Sequence, residues 1–176
     1  MNIQQLNTNE HTQLIQSTLD TNYFTLSGEI KICKILSVYD GDTIKVSFYH
    51  NNIINKWNIR LIGINTPELR PSRNMPNRLQ EINNAKASRD YLKKILNYTN
   101  NTNTLFYLKC YHFDKYGRLL GEIFKYQPEI FNNYQSFINN SIQLGGQYIE
   151  KCILHPSSIN YLMIKDGYAK YYTGGK

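Results

Sequence analysis

Three stretches of alternating apolar and polar residues, 29–36, 43–49 and 57–64, follow one another with only short polar breaks between them. This succession constrains the fold more than any other feature. Alternation with a period of two, rich in β-branched and aromatic residues, predicts half-buried strands. In the first stretch Ile30, Ile32, Lys34 and Leu36 share one face. Asp40-Gly41 supplies a first turn and residues 50–55 a second, because Asp, Asn and Gly are turn formers. The three strands therefore form a meander.

Two more strands are expected over 104–111 and 118–125, joined through a turn at 114–117. Between the two sets of strands, a polar loop holding Pro71 and Pro76 leads into a helix over 79–97. Its apolar stripe is Leu79, Ile82, Leu92, Ile95 and Leu96. Ser157 or Ser158 is placed to cap a last helix over 159–165, which Gly167 would stop. Five strands with a few helices predict an α+β chain, mainly β: a five-stranded Greek-key barrel of OB type with helices packed against it.

The 176 residues suffice for one domain with a sizeable core. Residues 1–27, rich in Gln, Asn and Thr, read as a flexible N-terminal arm, and 28–176 as the folded domain. The segment at about 126–156 has no clear period and reads as an insertion. A formal charge of +7 and a pI near 9.2 favour a polyanionic partner. Cys33, Cys110 and Cys152 are odd in number and scattered, which predicts buried thiols in a reducing compartment rather than a disulfide framework. With no recognisable signal peptide and no apolar run long enough to span a bilayer, the expectation is an intracellular protein without a membrane partner. No obligate protein partner is implied, and a monomer is expected.

The chemistry lies in three short motifs: Asp40-Gly41-Asp42-Thr43, the run from Arg60 to Glu68, and Asp114-Lys115-Tyr116-Gly117-Arg118. Each alone is an ordinary turn or helix start. Together they supply what phosphodiester hydrolysis requires. Asp42 and an oxygen from Asn65 or Thr66 suit a hard cation such as Ca²⁺, which takes oxygen ligands. Glu68 suits a group that orients or deprotonates water. Arg60 and Arg118 offer planar forks to phosphate and keep their charge at neutral pH.

In these motifs and their order, the chain resembles the staphylococcal nuclease (thermonuclease) family, over about 29–172. The resemblance implies an OB-type barrel with three helices and Ca²⁺-dependent, sugar-nonspecific hydrolysis of DNA and RNA to leave 3′-phosphates. Arg60, Glu68 and Arg118 match the catalytic residues, and Asp42 matches a calcium-binding aspartate. Thr66 matches the residue giving calcium a backbone carbonyl, while Lys115 and Tyr116 match positions that contact nucleotide phosphate. Asp40 matches the first acidic residue of its turn, and Gly167-Tyr168-Ala169-Lys170 resembles the family's Gly-Leu-Ala-Lys stretch. Asp40 and Asn65 are further candidates for holding the single ion.

Two departures stand out. Asn65 occupies the place of the second calcium-binding aspartate, so weakened metal affinity is expected. The sequence runs to Lys176, short of the family's last helix, so the N-terminal arm and the insertion are expected to replace its packing, or the C-terminal region to be held differently. The rival reading is a catalytically weak or inactive nuclease-like module that binds nucleic acid. A third, a single-strand binder stacking bases on Tyr and Phe, is disfavoured because the aromatics alternate within strands and read as core.

Overall fold

The computed structural model describes residues 7–99, 103–126 and 154–173. Its strands are β1 (Ile30–Val38), β2 (Thr43–His50), β3 (Ile53–Leu61), β4 (Ile64–Asn65), β5 (Leu105–Phe113), β6 (Leu119–Lys125) and β7 (Lys170–Tyr171). The helices are α1 (Thr8–Ile15), α2 (Arg78–Ile95) and α3 (Ile159–Lys165). Five strands close a barrel in the order β1-β2-β3-β6-β5, with β5 returning to β1. Every pairing is antiparallel except β3 with β6, which is parallel. This is the expected OB-type, mainly β architecture, with three helices among the described residues, one of them, α1, in the N-terminal arm.

The interior follows from strand alternation. Ile44, Val46 and Phe48 of β2, Ile59 and Leu61 of β3, Phe106 and Leu108 of β5, and Leu119 and Ile123 of β6 point inward and are buried. Gly121 is required where β6 meets its neighbours, since a Cβ there would lie 2.9 Å from Ile59 Cγ2 and closer still to Leu108. One end of the barrel is filled by aromatic rings: Trp57 stacks on Phe48 with centroids 5.0 Å apart, and Phe113 and His50 pack against it. Phe24, from the segment before β1, rests on His50 and Phe113, and Leu26 is fully buried. The packed chain thus reaches back at least to Leu26, while α1, closed by an Asn7 capping box, buries no residue.

The structure corrects the expected faces of two elements. In β1 the inward residues are Cys33 and Ile35, whereas Ile32 and Leu36 are exposed. A bulge between Ile35 and Ser37 accommodates Leu36 as an extra residue and returns Val38 to the core. In α2, Leu79 is exposed, and the buried positions are Ala85, Ser88 and Leu92, followed by Leu96 just past the helix end. Small side chains let this helix approach the barrel closely. The second turn is also tighter than 50–55: Asn51 and Asn52 alone connect β2 to β3, both with positive φ as a type I′ hairpin requires.

Ser158 caps α3 through its hydroxyl, which accepts from Tyr161 N–H at 3.1 Å. Gly167, at φ +79°, ends it, with Gly167 N–H bonded to Ile164 and Tyr168 N–H to Met163. That stop aims the following residues so that β7 pairs with β4. The thiols of Cys33 and Cys110 are buried, which raises the pKa of both, that of Cys110 to about 12. Cys152 and most of the expected insertion, 127–153, lie outside the described residues. Among the described residues, no helix is long and apolar enough to cross a membrane.

Candidate active site

Asp42 is the hub of the site. The β1–β2 turn delivers it to the barrel mouth, where it is 6% exposed. Its Oδ2 accepts Thr66 N–H at 2.9 Å and the Thr66 hydroxyl at 2.8 Å, and pairs with Arg60 Nη1 at 3.1 Å. Its Oδ1 accepts the Thr43 hydroxyl at 3.2 Å. Removing a carboxylate from water is unfavourable unless hydrogen bonds and an opposite charge replace the lost hydration. Here they do.

Arg60 extends from β3, opposite Thr43 of β2 and beside Leu120 of β6. Besides Asp42, its guanidinium donates to Leu61 O and, through Nη2, to Asn65 Oδ1, both at 3.1 Å. One fork therefore bridges Asp42 and Asn65. Asn65 belongs to β4, whose backbone is held by β7, with Asn65 opposite Lys170.

The turn's other acid, Asp40, accepts Asp42 N–H at 3.1 Å. Burial and then the neighbouring charge of Asp42 push its pKa up to about 6, against partial relief from the backbone and hydroxyl donors around it.

Arg118 is braced separately. Asp114 Oδ2 accepts from Arg118 Nε at 2.7 Å, while Asp114 Oδ1 accepts the backbone N–H groups of Tyr116 and Arg118, each at 2.9 Å. Burial would raise the Asp114 carboxyl, but these bonds outweigh it and hold the pKa below 3.8. Gly117, at φ +76°, allows the tight turn that makes them possible. Parallel register places Ile59 beside Leu119, so Arg118 falls two positions before the Leu120 partner of Arg60, on the same outward side. Strand geometry then separates the two arginine Cα atoms by roughly 8 Å. Their guanidinium groups can face one phosphodiester.

The remaining sequence candidates are less tightly held. Glu68 is exposed, and its N–H donates to Glu81 Oε1 at 2.9 Å, tying the loop after β4 to α2. No contact joins the Glu68 carboxylate to either arginine among the described residues. Lys115 and Tyr116 sit at the tip of the β5–β6 turn, with Tyr116 strongly exposed and both Lys115 and Arg118 lying over its ring.

Sequence reasoning missed the supports. Glu81 anchors the Glu68 loop, Asp114 braces Arg118, and the Ser88 hydroxyl donates to Tyr168 O at 2.7 Å. Tyr168 in turn stacks on Tyr91. Between these elements a cleft of about 440 Å³ opens beside Asn65 and Thr66. An acid in the first turn of a helix was the available signal for Glu81, but it reads equally as a response to the helix dipole.

The potential metal ligands are oxygens throughout: the Asp42 carboxylate, Asn65 Oδ1 and the Thr66 backbone, with Asp40 on the same turn. Asp42 and Asn65 already converge on a single positive centre, the Arg60 guanidinium. Hard oxygens around one centre fit a divalent ion of the Ca²⁺ type, with water filling the rest of its shell. No group of three or more His, Cys, Asp or Glu side chains suited to a metal occurs among the described residues. A metal here would thus depend on carbonyl oxygens and water alongside carboxylate.

A family model described as "Staphylococcal nuclease homologue" matches residues 58–176, more than half of the chain. The chain belongs to the staphylococcal nuclease family. Family membership supports a nuclease-type function. A comparison with curated proteins returned no match. The family match begins within β3 and covers Arg60, Glu68 and Arg118. The Asp40–Thr43 turn precedes it, and the hydrogen bonds from Thr66 and Arg60 to Asp42 tie that turn to the family's segment.

Proposed function

We propose that this chain is a metal-dependent, sugar-nonspecific nuclease that hydrolyses DNA and RNA to leave 3′-phosphates. The supporting observation is the network in which Asp42, Arg60, Asn65 and Thr66 share one centre while Arg118 stands braced on the same side of the barrel.

Asp42, Asn65 and Thr66, with Asp40 nearby, would hold one Ca²⁺. A bound divalent ion would supply Lewis-acid stabilisation of the phosphoryl oxygens. Arg60 and Arg118 bind the phosphodiester and neutralise charge that grows as the bond to the 5′ oxygen breaks. Glu68 orients the attacking water and accepts its proton, and Lys115 and Tyr116 contact a flanking phosphate. Contacts to phosphate position the substrate without reading bases, so little sequence preference is expected. The protein acts as an intracellular monomer with nucleic acid as its partner.

One observation favours the weaker alternative, a nucleic-acid-binding module with low or no activity. Asn65 contributes no charge, and Arg60 already holds its oxygen. Incubating the purified chain with plasmid and with single-stranded DNA, in Ca²⁺ or in EGTA, separates the readings. The nuclease should cut only with Ca²⁺. Binding without cleavage at any metal concentration would establish the module, and cleavage unchanged in EGTA would remove calcium from the mechanism.

A further inference from the structure

We propose that the outward face of β1, β2 and β3 is a track for an extended single strand of nucleic acid leading to Arg60. Its final step rests on the nuclease reading, whereas strand binding does not.

The track follows from register. Thr43 lies opposite Arg60, Lys45 opposite Asn58, Ser47 opposite Lys56, and Tyr49 opposite Ile54. On the other side of β2, Ser37 pairs with Lys45 and Lys34 with Ser47, and Tyr39 N–H bonds to Thr43 O. Inward positions between these rows carry Ile44, Val46 and Phe48, so the named residues share the outer surface.

Moving away from Arg60, the rows present Tyr39, then Lys45, then Lys56 with Lys34, and finally Tyr49. Successive rows are about 7 Å apart, and the whole run is about 20 Å long. It contains no Asp or Glu. Lys34 donates to the neutral Asn103 side chain and pairs with no carboxylate among the described residues. Tyr39 is 49% and Tyr49 65% exposed, one at each end.

The opposite wall is different. There Glu122 is buried under α3, accepting His155 N–H at 2.8 Å, and Asn160 bonds into β6. Among the described residues the basic face has no such cover at Tyr39, Lys45, Tyr49, Lys56 and Asn58, which are all exposed, and it is continuous with the site. Spaced cations with exposed aromatic platforms suit an unpaired strand, whose backbone meets the lysines while bases stack on tyrosine. Isolated solvated lysines would need neither the alignment with Arg60 nor the absence of acids.

The test uses the full chain and a fluorescently labelled 15-nucleotide oligothymidylate in EGTA, with anisotropy measured across a salt series. Replacing Lys34, Lys45 and Lys56 together by Gln should make the slope of log K against log salt shallower by about 2, from about 0.7 per phosphate contact to a single strand. Lys45→Gln with Lys56→Gln should make it shallower by about 1.4 and leaves the Lys34–Asn103 bond intact. A control triple, Lys86→Gln, Lys94→Gln and Lys165→Gln, changes net charge equally and should keep the wild-type slope. An unchanged slope in the first triple, or an equal loss in the control, overturns the track.

Cleavage distinguishes this proposal from the nuclease reading. In an active protein the first triple should lower kcat/KM on long single strands relative to a p-nitrophenyl thymidine diester. If the wild type cuts neither substrate yet the slopes change as stated, the track stands and the nuclease reading fails. If it cuts both while the slopes stay fixed, the reverse holds.

Discussion

Replacing Gly41 by Ala tests the assembly of the site without touching any group assigned to chemistry. A Cβ built at Gly41 would lie 2.7 Å from Thr66 Cγ2, 2.8 Å from Ser88 Cβ and 3.0 Å from Thr66 Cβ. The two Cβ atoms are attached directly to backbone, in β4's loop and in α2, so neither can swing aside. Overpacking of this kind costs about 1–3 kcal/mol, and the lower entropy of an unfolded alanine offsets about 0.4–1 kcal/mol. A net loss of about 1–2 kcal/mol should appear as a urea midpoint lower by about 1 M, for slopes of about 1–3 kcal/mol/M. The displacement also falls on Asp42, the next residue, and on the Thr66 donors that hold it. Since about 1 Å of misplacement can cost on the order of 10²-fold in rate, activity should fall more than stability explains. Adding Thr66→Ser removes the 2.7 Å contact while keeping a hydroxyl for Asp42, and should recover part of both losses. Stability within about 0.5 kcal/mol of wild type, the range of ordinary surface changes, would refute the close packing of turn, loop and helix.

Asn65→Asp restores a carboxylate beside Asp42 and should lower the half-saturating Ca²⁺ in calorimetric titration and in cleavage; identical titrations would mean residue 65 does not face the ion. Arg118→Lys keeps the charge but loses the fork and should reduce turnover by on the order of 10³ to 10⁵ by analogy with arginine fingers, which single-turnover cleavage would measure. Asp114→Asn removes the carboxylate brace of Arg118. Because the folded pKa of Asp114 lies below 3.8, its contribution is fully present above that pH and is lost as pH falls through the folded value. Urea unfolding of the variant and wild type should therefore differ at pH 7 and converge in acid, and a constant difference at every pH would contradict the linkage.

Strand alternation and turn chemistry made the barrel legible, because inward residues such as Ile44, Val46 and Phe48 are also the apolar ones. The same logic misplaced β1. Its sequence is apolar on both faces, with Ile30, Ile32 and Leu36 against Cys33, Ile35 and Val38, and the bulge that selects the second set has no signature such as glycine. In α2 the eye follows Leu79, yet Ala85 and Ser88 are buried, and at Ser88 the nearness of Gly41 leaves no room for a larger side chain. Motif spacing brought Asp42, Arg60, Asn65 and Thr66 into one proposal, and the structure places them in one hydrogen-bonded group. It could not show that Asp114 supports Arg118, because a turn aspartate is explained fully by its backbone bonds until the side-chain distance is known.

The small β4–β7 sheet gives the site a timetable. Asn65 is flanked by Lys170, and Gly63 O receives its hydrogen bond from Tyr172 N–H, partners encoded far downstream. The barrel's five strands are all complete once Lys125 has been made. During synthesis, then, Asp42 and Arg60 can meet well before Asn65 gains its strand partner. A nascent chain would carry a closed barrel with β4 still unpaired, and the hydrogen-bonded group around Asp42 would gain that support only when residues 170–172 emerge.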